Sequence, residues 1–109
     1  MSKKVIPGAN IVGNLVFTSG MTGTPGDVET QIKNTLKKLK SVLESAGTSF
    51  ENVVKATVYL ADLKDRERYL NKIWRETFPE NPPSRTCVQV GLAPDDLVEI
   101  ELVAVISEK

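Results

Sequence analysis

The chain has 109 residues, of which 40% are hydrophobic and 26% are charged, with equal numbers of acidic and basic side chains. This length and balance predict one globular domain over residues 1–109. A net charge of zero argues against a broad nucleic-acid-binding surface, because basic side chains supply most of the affinity of such surfaces. The chain contains no histidine, so histidine-based catalysis is excluded and no metal site is expected.

The only cysteine, Cys87, cannot form an intramolecular disulfide and is typical of proteins from a reducing compartment. No long apolar run follows the basic start of the chain, and no segment combines the length and apolarity of a membrane span. We therefore expect a cytoplasmic protein without membrane contact. A domain of this size buries only a modest core, so self-association would stabilise it.

The first part of the chain predicts a strand, a loop and a helix in that order. Residues 14–19 follow a turn-prone Gly-Asn pair and predict a strand, and the glycine-rich residues 20–26 predict a loop. Asp27 predicts the N-cap of an amphipathic helix that ends at Gly47. Its apolar positions recur at three- and four-residue steps and are Val28, Ile32, Leu36, Leu39, Leu43 and Ala46.

The second part predicts three strands and a second helix. The β-branched residues 53–60 predict a strand, and a helix begins within residues 62–65 and ends before Pro79. Its predicted apolar face consists of Tyr69, Leu70, Ile73, Trp74 and Phe78. Residues 84–90 and 97–106 predict two further strands. The order β-α-β-α-β-β, to which a strand before Gly13 can be added, predicts a two-layer α+β domain with both helices on one sheet face.

The last predicted strand is apolar on both of its faces. Val98, Ile100 and Leu102 share one face, while Val103 and Val105 lie on the other. A strand of this kind is usually covered on both sides, and two helices can cover only one of them. We therefore expect other subunits to cover the second face.

Residues 82–90, with the sequence PPSRTCVQV, form the most unusual segment. Strand alternation places Arg85, Cys87 and Gln89 on one face. A guanidinium beside a thiol can bind a carboxylate or phosphate through two parallel hydrogen bonds. The alternative is that Arg85 forms a surface ion pair and Cys87 is a small core residue, and the pattern alone favours this structural interpretation.

Two further groups could carry chemistry. Glu99 and Glu101 share a strand face, where a partly buried carboxylate could act as an acid or base, although a solvated strand edge is the simpler interpretation. Ser19 and Gly20 end a strand and could direct a hydroxyl and backbone N–H groups into a cleft, or could form only a turn. The lysines of the first helix have no aromatic residues among them, which is typical of a solvated face.

Five blocks of sequence, in order, resemble the reactive-intermediate deaminase (RidA/YjgF) family. They are GNLVFTSG at 13–20, NVVKATVYLAD at 52–62, NKIWRETFP at 71–79, PPSRTCVQV at 82–90 and LVEIE at 97–101. The resemblance covers nearly the whole chain from Gly13 onward. It implies a chorismate mutase-like fold, in which a mixed sheet carries two helices on one face. It also implies a homotrimer whose sheets form a central barrel, with clefts between subunits.

The resemblance also implies an activity in metabolite damage control. Family members hydrolyse reactive enamines and imines, such as 2-iminobutanoate and 2-iminopropanoate, to 2-oxo acids and ammonia. These intermediates arise when pyridoxal-phosphate enzymes dehydrate serine or threonine. No cofactor is implied for the hydrolysis itself. The ligand expected in each cleft is a small 2-imino or 2-oxo acid.

Site residues are implied by position within the matching blocks. Arg85 matches the arginine that binds the substrate carboxylate, and Glu99 matches the glutamate that positions or activates water. The other matching positions that line or flank the cleft are Cys87, Ser19, Gly20 and Asn71. An iminium carbon is already electrophilic, so positioning the substrate and water can suffice without a metal or histidine.

Two positions depart from the family pattern and make the expected cleft less polar. Ile6 stands about where the family has a tyrosine, and Met21 stands where a glutamine often follows the serine-glycine pair. These departures leave the substrate open. The alternatives are a non-catalytic module that binds a small carboxylate, and a ribonuclease or translation inhibitor. Zero net charge and the lack of histidine weigh against the ribonuclease.

Overall fold

A computed structural model describes residues 2–107 and shows one mixed sheet of seven strands. The strands are β1 (Lys3–Ile6), β2 (Ala9–Val12), β3 (Leu15–Thr18), β4 (Met21–Thr22), β5 (Val53–Leu60), β6 (Ser84–Gln89) and β7 (Val98–Val105). Their order in the sheet is β1-β2-β3-β7-β5-β6, with β4 also paired to β7. The β5–β6 pair is parallel and the other pairs are antiparallel. The predicted α+β architecture is confirmed.

The long helix α1 (Val28–Ser45) begins and ends where the sequence predicts. The Asp27 carboxylate accepts a hydrogen bond of 2.9 Å from the Thr30 backbone N–H and so caps the first turn. Gly47, with φ of 89°, ends the helix in the left-handed conformation that a glycine adopts most easily. The predicted apolar positions of α1 are buried except Ala46, which is half-buried.

The second helical segment begins within the predicted range but differs from its prediction in its apolar face. Residues 62–64 form a bend and a turn, helical structure begins at Asp65 and continues through a π-helical turn at Arg66–Leu70, and α2 proper is Asn71–Thr77. In a π-helical turn each backbone hydrogen bond spans five residues instead of four. The side chains after the extra residue therefore point in directions that the α-helical repeat does not predict. Tyr69 is therefore exposed, whereas the sequence prediction placed it on the apolar face.

The core lies between the helices and one face of the sheet. In β7 the residues Val98, Ile100, Leu102 and Ala104 are buried, and Glu99, Glu101, Val103 and Val105 alternate with them on the opposite, half-exposed face. We call this second face the open face of the sheet. Phe17 and Val88, from β3 and β6, are also partly exposed. Whether other subunits cover the open face stays a prediction.

Short elements near the N-terminus were not predicted. The sequence allowed one strand before Gly13, and the structure has the hairpin β1–β2 there. The predicted loop 20–26 contains β4, in which Met21 pairs with Ile100 and Thr22 with Glu99. Two-residue strands have no periodicity to recognise, because alternation needs at least four positions.

The buried amide of Gln31 joins α1 to two loops. Its Nε2 donates hydrogen bonds to the backbone carbonyls of Gly26, at 2.8 Å, and Asp95, at 3.1 Å. Its Oε1 accepts a hydrogen bond of 2.9 Å from the Leu97 N–H. One side chain therefore fixes both the glycine-rich loop and the turn that leads into β7.

We expect Gln31→Met to lower the free energy of unfolding by about 2 kcal/mol, because a buried backbone N–H and two carbonyls lose their partners. Urea denaturation measures the change. Lys37→Met on the exposed side of the same helix is the matched control and should change stability by less than about 0.5 kcal/mol. Equal stability of the two variants would contradict the structural role of Gln31.

Candidate functional site

Arg85 lies on the edge strand β6 and is held by two residues of α2. Its Nη2 donates a hydrogen bond of 2.8 Å to Asn71 Oδ1. Its guanidinium carbon lies 5.3 Å from the centroid of the Trp74 ring, a distance typical of cation–π stacking. These contacts fix the guanidinium in one orientation and leave its remaining N–H donors free for a ligand.

Cys87 lies on the same face of β6, because Arg85 and Cys87 pair with the buried Ala56 and Val58 of β5. Partial burial raises the pKa of the Cys87 thiol, and the positive charges of Arg85 and Arg66 offset only part of this rise. The thiol is therefore protonated at neutral pH. A protonated thiol can line a cleft but is a poor nucleophile.

Glu99 lies on the open face of β7 next to the strand that follows Gly20. A Cβ atom placed on Gly20 would collide with the Glu99 carboxylate, so a larger residue here would force the Glu99 side chain to move. The neighbouring Ser19 is exposed, and its backbone N–H donates a hydrogen bond of 2.8 Å to the Gly8 carbonyl. The structure thus brings Ser19, Gly20 and Glu99 together.

Glu101 shares the open face with Glu99 but has a different partner. The Tyr59 hydroxyl donates a hydrogen bond of 3.3 Å to Glu101 Oε1. Desolvation, with the nearby Glu101 and Glu99 charges, raises the pKa of Tyr59, so its phenol stays a proton donor. Within residues 2–107, no hydrogen bond engages the side chain of Glu99, which leaves its carboxylate available.

The predicted site residues fall into two groups on opposite faces of the sheet. Arg85 pairs with Ala56 on the helix-covered face, whereas Glu99 pairs with Tyr59 on the open face. Strand β5 lies between β6 and β7 and separates the two groups further. One chain alone therefore does not place Arg85 and Glu99 around a common ligand.

The two departures from the family pattern lie beside the Glu99 group. Ile6 is the last residue of β1, and the turn that follows it contains the Gly8 carbonyl, which accepts a hydrogen bond from the Ser19 N–H. A Cβ on Gly8 would come within 2.9 Å of the methyl carbon of Met21. Both replacements therefore make the surroundings of Ser19, rather than those of Arg85, less polar.

Sequence reasoning missed two residues of the Arg85 group. Trp74 was assigned only to the apolar face of the second helix, although its position three residues after Asn71 puts both on one helix face. No sequence pattern predicted that Arg66 lies near Arg85, because its position depends on the π-helical turn.

Residues 2–107 contain no group of three or more cysteine, aspartate or glutamate side chains placed to hold a metal ion. Of the helices in the same part of the chain, none has both the length and the apolarity needed to cross a bilayer.

Comparison with known proteins places the chain in a family. Residues 6–106 match the family model described as Endoribonuclease L-PSP. The chain belongs to this family, the YjgF/RidA family. A RutC family protein of Pyrococcus abyssi is 40% identical over 102 residues, covering 85% of this chain and 80% of the relative. An Escherichia coli K12 protein named "Putative reactive intermediate deaminase TdcF" is 37% identical over 105 residues, covering 86% and 81% of the two chains.

Solved structures of the YjgF/RidA family have the same fold. RidA from the Antarctic bacterium Psychrobacter is 34% identical with a TM-score of 0.86, covering 91% of this chain and 86% of its own. A YjgF family protein from Neisseria meningitidis is 30% identical with a TM-score of 0.87, covering 94% and 87% of the two chains. The resemblance seen in the sequence blocks is confirmed at the level of family and fold.

We expect alkylation of Cys87 by iodoacetamide to rise with a pH midpoint above that of an ordinary cysteine, because burial disfavours the thiolate. The rate constant is measured from pH 6 to 10.5 by mass spectrometry, with the chain unfolded in urea as the control. A folded-state midpoint below that of the unfolded chain would show an activated thiol and contradict its assignment as a neutral cleft residue.

Proposed function

We propose that this member of the YjgF/RidA family is a hydrolytic deaminase of small 2-imino acids, such as 2-iminobutanoate and 2-iminopropanoate. The products are a 2-oxo acid and ammonia. The observation that carries the proposal is the fixed guanidinium of Arg85, held by Asn71 and Trp74 with no carboxylate partner among residues 2–107. The relative named as a reactive intermediate deaminase supports the type of reaction.

Arg85 is the proposed anchor for the substrate carboxylate. Its guanidinium is partly desolvated. Among residues 2–107 the one ion pair within 4.0 Å joins Lys33 and Glu29 of α1 and does not involve Arg85. A guanidinium that has lost water without gaining a carboxylate has unmet hydrogen-bonding capacity. A bidentate carboxylate from a ligand would satisfy it.

Glu99 is the proposed base for the attacking water. Water adds its oxygen to the iminium carbon and loses a proton to the Glu99 carboxylate, which gives a tetrahedral carbinolamine. Glu99 then returns the proton to nitrogen; as the C–N bond breaks and ammonia leaves, the hydroxyl gives its own proton to the Glu99 carboxylate and becomes the 2-oxo oxygen. The electrophile is the substrate's own iminium, so the protein supplies position and proton transfer.

We propose that the protein is a homotrimer and that each cleft combines two subunits. Arg85 and Glu99 lie on opposite faces of the sheet within one chain, so a common ligand needs Arg85 from one subunit and Glu99 from the next. The partly apolar open face, with Phe17, Val88 and Val103, supplies a surface for this association. The unpaired Cys87 supports a reducing, cytoplasmic location.

The remaining predicted residues take supporting roles in the proposal. Cys87 forms a neutral wall next to Arg85, and Asn71 positions the guanidinium. Gly20 leaves room for the Glu99 carboxylate, and Ser19 borders the same group. A module that binds the 2-oxo acid without turnover is the second candidate, favoured by the apolar Met21 beside Ser19; it would show saturable binding and no ammonia release.

We expect Arg85→Ala to lower kcat/KM for 2-iminobutanoate about 100-fold, because charge-assisted hydrogen bonds to the carboxylate are lost. Arg85→Lys should recover part of the loss, since it keeps the charge but not the planar fork. A dehydratase generates the imine, and semicarbazide traps whatever imine the protein has not hydrolysed. The decrease in the semicarbazide adduct therefore measures the rate of hydrolysis. Unchanged hydrolysis by Arg85→Ala would overturn the assigned role.

We expect Arg85→Ala and Glu99→Gln, each inactive alone, to restore activity when unfolded, mixed in equal amounts and refolded together. Random assortment of subunits leaves about a quarter of the interfaces with both native residues, so about a quarter of wild-type activity should return. Refolding each variant separately and then mixing at low temperature is the control. No recovery from a co-refolded mixture of trimeric size would show that the site does not combine two subunits.

A further inference from the structure

The segment Leu63–Asn71 runs along strand β6, and two hydrogen bonds define how they align. The Gln89 side-chain oxygen accepts a 2.8 Å hydrogen bond from the Leu63 N–H, and Asn71 accepts one of 2.8 Å from Arg85. The start of the helical segment therefore lies over the end of β6, and the later Asn71 lies over Arg85. The two elements run in opposite directions, side by side.

Arg66 falls between these two contacts. Along the helical segment it lies between Leu63 and Asn71, just as Cys87 lies between Gln89 and Arg85 along the strand. The π-helical turn reinforces this position, because the Asn71 backbone N–H donates its hydrogen bond to the Arg66 carbonyl. Arg66 is thus one turn away from the residue that holds Arg85, at the level of Cys87.

The charges agree with this placement. Burial has the largest effect on the pKa of Arg85 and lowers it; Cys87 acts in the opposite direction, and the positive charge of Arg66 lowers this pKa further. The same charge also lowers the pKa of the Cys87 thiol, although burial outweighs it. Both positive charges therefore act on the same half-buried thiol, as expected if Arg66 lies at the level of Cys87. No ion pair within 4.0 Å involves either arginine among residues 2–107.

There is also room beside Arg66. Its side chain borders a surface cavity of about 250 Å³, together with Leu63, Lys64 and Glu67. Glu67 forms no ion pair with Arg66 within 4.0 Å, and Lys64 adds a further positive charge. Because neither arginine has an ion-pair partner within 4.0 Å among residues 2–107, a ligand that reaches from Arg85 to Arg66 would displace no carboxylate of this part of the chain.

We propose that Arg66 is a second anion-binding residue of the cleft and that the preferred substrates are 2-imino dicarboxylates. Arg85 binds the carboxylate next to the imine, and Arg66 binds the carboxylate at the far end of the side chain. For turnover, this inference rests on the proposed deaminase function. For binding, it rests on the arrangement of the two guanidiniums alone.

The kinetic test compares an imine generated by an oxidase from an acidic amino acid with one generated from 2-aminobutanoate. The wild type should show the higher kcat/KM for the dicarboxylate. Arg66→Gln should reduce the ratio of the two kcat/KM values about tenfold or more, because one charge-assisted hydrogen-bond pair is lost for the dicarboxylate only. Arg66→Lys should recover part of the ratio, since it keeps the charge.

Arg68→Gln is the matched control. Arg68 lies on the same π-helical turn and is exposed, so the variant makes the same change of charge away from the cleft. For Arg68→Gln, the ratio of kcat/KM for the dicarboxylate imine to kcat/KM for the monocarboxylate imine should equal that of the wild type. Equal ratios for wild type and Arg66→Gln, or an equal loss for both imines in Arg66→Gln, would overturn the proposal, because Arg66 would then contact no second carboxylate.

A binding measurement separates this inference from the proposed function. Calorimetric Kd values are compared for 2-oxoglutarate and 2-oxobutanoate, the stable oxo-acid counterparts of the two imine classes. Tighter binding of the dicarboxylate that depends on Arg66 supports the inference even if no imine is hydrolysed. A Kd for 2-oxoglutarate that is the same in wild type and Arg66→Gln overturns it even if the deaminase activity is present.

Discussion

The site depends on one constraint, the alternation of side chains along β7 and β6. Burial of Val98, Ile100 and Leu102 against the helices forces Glu99 and Glu101 to the open face. The pairing of both strands with β5 then places Arg85 on the opposite, helix-covered face. A slip of one residue in either strand would exchange the faces and also expose the core, so the stability of the core and the position of the site are specified by the same register.

The surroundings of Arg85 explain why this arginine is suited to a ligand rather than to stabilising the fold. An amide and an indole hold it, and neither neutralises its charge. A carboxylate partner from the same chain would satisfy the guanidinium permanently and compete with any ligand. Arg66 makes the local excess of positive charge larger, at a cost in repulsion that an anionic ligand would remove. The arrangement therefore favours anion binding over stability of the empty cleft.

Periodic features of the structure were predictable from the sequence, and aperiodic ones were not. The stripe of α1 and the faces of Arg85 and Glu99 follow from repeats of 3.6 and 2 residues, and the Asp27 cap follows from a local hydrogen bond. The π-helical turn has no sequence periodicity of its own, so the exposure of Tyr69 and the position of Arg66 could not be predicted. Strand β4 is too short to show alternation. The division of the site between two sheet faces needed the strand order, which no single strand encodes.

The few reactive side chains of the proposed cleft determine how it could select its substrates. The chain has no histidine, and burial keeps the Cys87 thiol protonated, so the cleft offers no strong nucleophile at neutral pH. An imine brings its own electrophilic carbon and needs only water, a base and a fixed orientation. Under the proposed function, the reactivity of the imine does not discriminate between small substrates, so discrimination falls to the groups that hold the substrate in place. The groups proposed to hold the substrate are cationic, so on this proposal the number and spacing of carboxylates on the ligand, rather than the reactivity of its imine, decide which molecules are processed.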